Sequence, residues 1–193
     1  MKPIRTDLPE QFPYGLERDG CAIYMAVRKH GLSTFGTLKR SMDSLVRMGH
    51  RTGFVNGEGD GAGVLTDIPR ELWGRKLSQA GLRSALAARP GFWVGHLFVP
   101  RDQDYANISE AVSDCFREAG LNLLLENCPE VRPEVLGRSA LEDDPPVFWQ
   151  LAGYSDALDV DKKLLNVQLQ LERQFHIHFA SLSDTTVVYK VRG

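Results

Sequence analysis

GFWVGHLFV, residues 91–99, is a nearly continuous apolar run in the middle of the chain. A run of this length and composition is typical of a β-strand that is buried on both faces. Before it, Pro69 suits the first turn of a helix that extends to about Ala88 and breaks at Gly81. After it, apolar residues at helical spacing predict a second helix over residues 106–119. Strands that alternate with helices in this way indicate a mixed α/β fold built in layers.

The same kinds of pattern extend toward both ends of the chain. A helix is predicted at 34–48, where one face carries Phe35, Leu38, Met42 and Leu45. Another helix is predicted at 160–174, with Asp159 able to cap it. Further strands are predicted at 21–29, 64–68, 121–126 and 148–153. Two β-rich runs, 176–181 and 185–191, are split by Ser-Asp and predict a closing hairpin.

Composition and charge exclude several classes of protein. The 193 residues correspond to one domain, and a net charge of −2 does not favour nucleic acid or an anionic membrane as the main partner. No apolar run approaches the roughly 20 residues that a membrane helix needs. Residues 1–20 contain no apolar core, so we interpret them as a leader-like arm and not as a secretory signal. Three cysteines without paired spacing indicate a reducing, cytoplasmic compartment.

Three features near the N-terminus could carry chemistry. Cys21 lies where the polar arm meets an apolar run, and it is either a nucleophile or a simple core residue. The glycine-rich stretch that contains Gly59-Asp60-Gly61-Ala62-Gly63 could cradle a ligand through backbone N–H groups, or it could be a tight connector. His50-Arg51 could bind a carboxylate through the guanidinium, or it could be a solvated pair.

The remaining candidates favour structural roles. Cys115 lies on the apolar face of the helix at 106–119, and nothing in the sequence activates Cys128. His176 and His178 would share one face of a strand, as metal ligands do, but no third ligand is near them. We therefore predict no metal site.

Three motifs occur in a specific order along the first third of the chain. They are Glu17-Arg18-Asp19-x-Cys21, then Leu45-Val46-Arg47-Met48-Gly49-His50-Arg51, and then Gly59-Asp60-Gly61-Ala62-Gly63. In this order they resemble the start of the glutamine amidotransferase domain of the glutamate synthase large subunit. Later pieces that are also similar are Val135-Leu136-Gly137, Ser181-Leu182-Ser183 and Val187-Val188-Tyr189-Lys190. The resemblance spans about residues 17–190.

The resemblance implies an N-terminal nucleophile hydrolase fold, a four-layer αββα sandwich. It implies cleavage between Gly20 and Cys21, which would make Cys21 the N-terminal catalytic nucleophile toward the side-chain amide of L-glutamine. The freed α-amine of Cys21 would serve as the base. Arg51 and His50 would bind the substrate, beside a loop that contains Gly59, Asp60, Gly61 and Gly63. Ammonia and a glutamyl thioester would form, and water would then release glutamate.

The sequence also departs from the family pattern. Ala22 follows the cysteine where the family has glycine, and Thr52 separates His50-Arg51 from Gly53. A motif of the His-Asn-Gly-Glu type, which supplies the family's oxyanion hole, does not occur before Gly193. We therefore expect residues 21–193 to be the first half of the amidotransferase domain, with another chain supplying the rest. The alternative is a non-catalytic module that binds a metabolite or a synthase-like partner.

Two further expectations follow from an incomplete domain. The flavin and iron–sulfur regions of a full glutamate synthase do not occur in this sequence, so we expect no cofactor in this chain. An unfinished sheet exposes unpaired backbone groups at its edge. We therefore expect self-association, or pairing with another chain, through the strand at 185–191.

Overall fold

The computed structural model describes residues 21–51, 53–55, 58–59 and 61–192. Within them, α-helices span Phe35–Arg47 (α1), Arg70–Gln79 (α2), Tyr105–Glu118 (α3), Arg138–Glu142 (α4) and Val160–Phe175 (α5). β-Strands span Phe54–Val55 (β1), Glu58–Gly59 (β2), Ala62–Asp67 (β3), Phe92–Val99 (β4), Asn122–Asn127 (β5), Val147–Tyr154 (β6), His178–Ser183 (β7) and Thr186–Arg192 (β8). Short 3₁₀ turns lie at Gly49–Arg51, Ser84–Ala88 and Pro133–Val135. The predicted strand at 91–99 and the predicted helices at 34–48, 106–119 and 160–174 are confirmed.

A four-stranded antiparallel sheet in the order β5–β6–β4–β7 forms the centre of the described structure. β4 is an inner strand, and its register places Leu97 opposite Trp149 of β6. Successive side chains of a strand point to opposite faces. Trp93 and Leu97 therefore pack into one layer, while Phe92 and Val94 pack into the other.

Helices α3 and α5 cover one face of this central sheet. Phe116 of α3 stacks on Trp93 of β4, with ring centroids 4.6 Å apart. The Asp104 side chain accepts hydrogen bonds from the backbone N–H groups of Ala106 and Asn107, which satisfies donors at the start of α3. The buried stripe of α5 is the one that the spacing predicts, Val160, Leu164, Val167 and Leu171.

The antiparallel pair β3–β8 and helix α2 cover the opposite face. Trp73 of α2 and Val187 of β8 pack there with Phe92. Beyond α2 the chain reverses at Gly81, whose φ of +77° costs a glycine little. The predicted helix break is thereby confirmed. The described residues form a mixed α/β structure with antiparallel sheets, in which a helical layer, the central sheet and a second sheet lie in sequence.

A chain of polar side chains, of which His96 and Gln150 are buried, links the central sheet to β8. His96 of β4 is completely buried, and its Nδ1 lies 2.8 Å from the carbonyl oxygen of Val188 in β8. Because a carbonyl only accepts, Nδ1 carries the proton, and Nε2 accepts from the Gln150 amide at 3.1 Å. The Gln150 carbonyl accepts in turn from the Asn127 amide at 2.9 Å. Burial lowers the pKa of His96, although the bond to Val188 opposes this, so the neutral ring fits the site.

The predicted strand at 21–29 is wrong. Residues 21–34 carry no helix or strand, and no described strand pairs with them. Ile23, Met25 and Val27 are 90%, 81% and 81% exposed. An apolar run has a strand's composition, but it forms a ladder only where a neighbouring strand is available.

The predicted terminal hairpin is also wrong. β7 pairs with β4 in the central sheet, whereas β8 pairs with β3 in the second sheet. The chain therefore crosses from one sheet to the other between β7 and β8. In this connection the Ser183 hydroxyl accepts a hydrogen bond from the backbone N–H of Thr185 at 3.1 Å. His176 caps the end of α5 with a φ of 52° and is not on a strand with His178, which removes the shared face predicted for these two histidines.

Candidate active site

Cys21 lies at the start of the described chain, in the irregular segment that precedes α1. It is a free, exposed cysteine. No hydrogen bond or ion pair within the described residues joins it to His50, Arg51 or the glycine-rich segment. The leader-like arm at 1–20, on whose removal the expected α-amine depends, lies outside the described residues.

His50 and Arg51 lie together in the 3₁₀ turn that follows α1. Helix α1 ends at Arg47, and the backbone N–H of Arg51 donates to the carbonyl oxygen of Met48 at 2.8 Å, which tightens the chain into this turn. The His50 Nδ1 lies 3.2 Å from the Arg47 carbonyl oxygen, to which it donates. Both side chains are exposed. Within the described residues, no carboxylate forms an ion pair with the Arg51 guanidinium.

The glycine-rich segment forms a small hairpin and then enters the second sheet. Phe54 pairs with Gly59 in the short β1–β2 ladder, and Gly63 of β3 pairs with Lys190 of β8. A register irregularity between Ala62 and Gly63 bends the strand at this point. Gly59, Gly61 and Gly63 are exposed. Asp60, the acidic residue predicted for this loop, lies outside the described residues.

The described structure therefore assembles the predicted site only in part. It brings His50 and Arg51 together, and it packs α1 against β3, into which the glycine-rich segment leads. It does not bring Cys21 into contact with either group. A shallow cleft of about 300 Å³ lies between the 26–28 segment and the first turns of α1.

Two arginines of this cleft, Arg28 and Arg40, were not singled out from the sequence. Arg28 donates from Nη1 to the Thr34 hydroxyl at 2.8 Å, and Thr34 is the N-cap of α1. The only sequence signal for them is the concentration of basic residues in this part of the chain. Residues 21–51 contain six lysines or arginines and a single acidic residue, Asp43. This charge suits an anionic ligand or partner.

The other two cysteines differ in their surroundings. Cys115 is buried on α3, as its position on the apolar face predicts, and burial raises the pKa of its thiol. Cys128 is exposed, and its Sγ lies 3.0 Å from the Tyr105 hydroxyl. Burial, together with this contact, raises the pKa of Tyr105.

Across the residues that the structure describes, no group of three His, Cys, Asp or Glu side chains could hold a metal ion. In that same part of the chain, no helix is both long enough and apolar enough to cross a membrane.

Comparison with known proteins identifies a family over nearly the whole chain. The family model of the class-II glutamine amidotransferases matches residues 21–192. The ferredoxin-dependent glutamate synthase of Oryza sativa subsp. japonica, a chloroplastic protein, is 28% identical over 187 residues. The ferredoxin-dependent glutamate synthase 2 of Synechocystis is 28% identical over 184 residues, and the large chain of the NADPH glutamate synthase of Bacillus subtilis is 26% identical over 186 residues. Each alignment covers 90% of this chain but only 12% of the relative.

Proposed function

The chain belongs to the class-II glutamine amidotransferases, and we propose that it carries the glutaminase half-reaction of a glutamate synthase, which releases ammonia from L-glutamine. The observation that carries the proposal is where the family match begins. It starts at residue 21, the cysteine that an N-terminal nucleophile mechanism requires. The relatives at 25–28% identity are glutamate synthases, which supports glutamate synthesis as the setting of the reaction.

In the proposed reaction Cys21 acts as both nucleophile and base. After cleavage between Gly20 and Cys21, the free α-amine accepts the thiol proton, and the sulfur attacks the side-chain amide carbon of glutamine. The carbon–nitrogen bond then breaks, and ammonia leaves with the proton held by the amine. Water hydrolyses the resulting glutamyl thioester to glutamate and restores the thiol. An α-amine has a pKa of roughly 7.7–8.0, which suits a base at neutral pH, whereas the amide nitrogen of an internal Cys21 could not accept the proton.

Arg51 and His50 are proposed to hold the substrate. The Arg51 guanidinium can pair with the α-carboxylate of glutamine through two parallel hydrogen bonds. Arg47, in the last turn of α1, adds a second guanidinium charge near this place, where the C-terminal end of a helix favours cations. The exposed glycines at 59, 61 and 63 would let the substrate approach the backbone closely.

The rest of the domain is proposed to cover α1 and to complete the four-layer αββα sandwich. No residue of α1 is fully buried, and Phe35 and Val46 on it are 75% and 68% exposed. A helix with an uncovered apolar face is typical of an interface. The polypeptide that covers it would also supply the oxyanion hole, and the loss of a single oxyanion donor typically costs about 10²–10³ in rate.

Labelling with a glutamine analogue that carries an electrophilic ketone in place of the amide tests the proposal. We expect one equivalent of label on Cys21 in the processed protein together with its co-purifying partners. Cys21→Ser should abolish labelling, and Cys128→Ser, which removes the other exposed thiol, should leave it unchanged. Arg51→Lys should weaken labelling because a lysine cannot form the bidentate pair. Failure of the processed protein and every partner to hydrolyse glutamine or to take the label would contradict the proposal.

The uncovered face of α1 also favours a second candidate, a non-catalytic module that binds a synthase-like partner. Such a module needs the basic, apolar surface of residues 21–51 but has no need of a free thiol at its N-terminus. The labelling experiment separates the two candidates, since a binding module would tolerate Cys21→Ser and would still bind its partner. A Phe35→Ser variant should weaken partner binding under either proposal.

A further inference from the structure

The motif Val135-Leu136-Gly137 has no role in the proposed reaction, and its glycine lies at the start of α4. Gly137 is the N-cap of α4, with a φ of −66° that any residue can adopt. Conformational freedom therefore does not explain a glycine here. A Cβ on Gly137 would lie 2.6 Å from the carboxylate carbon of Glu58 and 3.1 Å from its Cγ, so a larger residue here would displace the Glu58 side chain.

Glu58 reaches this place from the glycine-rich hairpin. It lies in β2, 81 residues before Ser139, and each of its carboxylate oxygens lies 3.2 Å from the Ser139 backbone nitrogen. Ser139 is the second residue of α4, where a backbone N–H has no acceptor within its own helix.

An N-cap side chain normally accepts from this part of a helix. Gly137 has no side chain, and no side-chain cap bond forms at that residue. The Glu58 carboxylate supplies the missing acceptor, and its negative charge suits the start of a helix. The cap of α4 is therefore contributed by a distant part of the sequence.

We propose that Glu58 is a positioning residue, whose carboxylate caps α4 across Gly137 and so holds the glycine-rich segment against residues 137–139. Gly59 follows Glu58 directly and is paired with Phe54, so an anchor at Glu58 fixes the hairpin and restricts where Gly61 and Gly63 can lie. Any consequence for glutamine binding rests on the proposed function, whereas the contact itself does not.

Hydrogen exchange at single amides in the full chain tests the contact without any activity. Glu58→Ala and Gly137→Ala should both speed exchange at Ser139 by roughly tenfold, the factor expected for losing one hydrogen bond to a charged group that is partly exposed. Exchange at Gly59, which pairs with Phe54, should also rise in both variants. Gly49→Ala is the matched control, because a Cβ at that glycine meets nothing within 4 Å.

Gly137→Ser separates capping from anchoring. The new hydroxyl can cap α4 locally while its Cβ displaces Glu58. We expect the Ser139 amide to stay protected while the Gly59 amide exchanges faster. In the double variant Glu58→Ala/Gly137→Ala, exchange should match either single variant, because each removes the same contact.

Additive effects in the double variant, or exchange at Gly59 that equals the Gly49→Ala control in all variants, would overturn the proposal. Labelling of Cys21 is measured on the same proteins. If the exchange pattern is as expected and Cys21 never takes the label, the anchor stands and the proposed function fails.

Discussion

Residues 21–51 and residues 62–192 differ in how their apolar side chains are covered. Within 62–192, Trp73, Trp93 and Trp149 are completely buried. Within 21–51, Ile23 is 90% and Phe35 is 75% exposed. The two regions also differ in charge, because residues 21–51 carry six basic side chains against one acidic, whereas residues 52–193 carry 14 against 20.

The amphipathic helices α1 and α5 show the same difference between the two regions. α5 buries four apolar residues against the central sheet, whereas the apolar face of α1 is only partly covered: Leu38 and Leu45 are half-buried, and Phe35 is exposed. The spacing of apolar residues therefore predicts that a helix forms. It does not predict whether the described residues cover the apolar face of that helix. The difference indicates that residues 62–192 contain the packed core and that residues 21–51 contribute little to it.

The largest expected difference in the free energy of unfolding comes from removing one aromatic ring from each region. Trp93→Ala deletes a fully buried indole that stacks on Phe116, so it should lower the free energy of unfolding by about 3–5 kcal/mol. Phe35→Ala should change it by no more than about 0.5 kcal/mol, because the ring is exposed. Urea unfolding measures the free energy of unfolding of both variants. It is followed by circular dichroism for both, and also by tryptophan fluorescence for the Phe35 variant. Equal losses would show that α1 is part of the folded core.

A second test uses the buried histidine between the sheets. The pKa of His96 is lowered in the folded chain, chiefly by burial and also by the charge of Lys76, and Tyr189 is the other titratable side chain against it. The unfolded chain therefore binds the proton first as the pH falls below about 6.5. The free energy of unfolding should fall with decreasing pH by up to about 1.4 kcal/mol per pH unit, until the folded-state pKa is reached.

His96→Gln should remove this pH dependence, although it also lowers stability at neutral pH by disturbing the contacts to Val188 and Gln150. His178→Gln is the control, because it removes an exposed histidine of β7 in place of the buried one. Denaturant unfolding between pH 7.5 and 5 provides the measurement. A slope that survives in the His96 variant would show that another group is responsible.

The smallest expected effect lies on α1. Lys39 and Asp43 form an exposed ion pair at 2.7 Å, one helical turn apart. Such pairs contribute only about 0.3–0.5 kcal/mol, and salt screens them. Asp43→Asn should therefore speed amide exchange in α1 by less than about threefold at low salt and not at all at high salt. A loss comparable to that of Trp93→Ala would mean that α1 contributes to the core after all.

Local sequence patterns predicted the helices and strands whose formation depends on residues close together in the sequence. The stripe of α5 and the run at 91–99 each determine one element, and both formed within two residues of the expected bounds. The run at 21–29 failed because a strand also needs a neighbour, which composition does not provide. The terminal hairpin failed because β8 pairs with β3, more than 110 residues earlier in the chain.

Contacts between distant parts of the sequence were also the part of the candidate site that the sequence did not predict. His50 and Arg51 are neighbours in sequence, so their shared turn was predictable. The contact of Glu58 with Ser139 joins segments that no spacing rule connects, and only the folded chain reveals it. The roles of Cys21 and Arg51 came from a resemblance to a family, and the family match supports that resemblance without testing the roles.

The intact mass of the protein purified from its native host tests the central claim most directly. We predict a mass that lacks residues 1–20, which would place Cys21 at the N-terminus with the free amine that the thioester mechanism requires. A mass that includes residues 1–20 would leave only an amide nitrogen on Cys21. That result would contradict the proposed amidotransferase and would favour a binding module on the same scaffold.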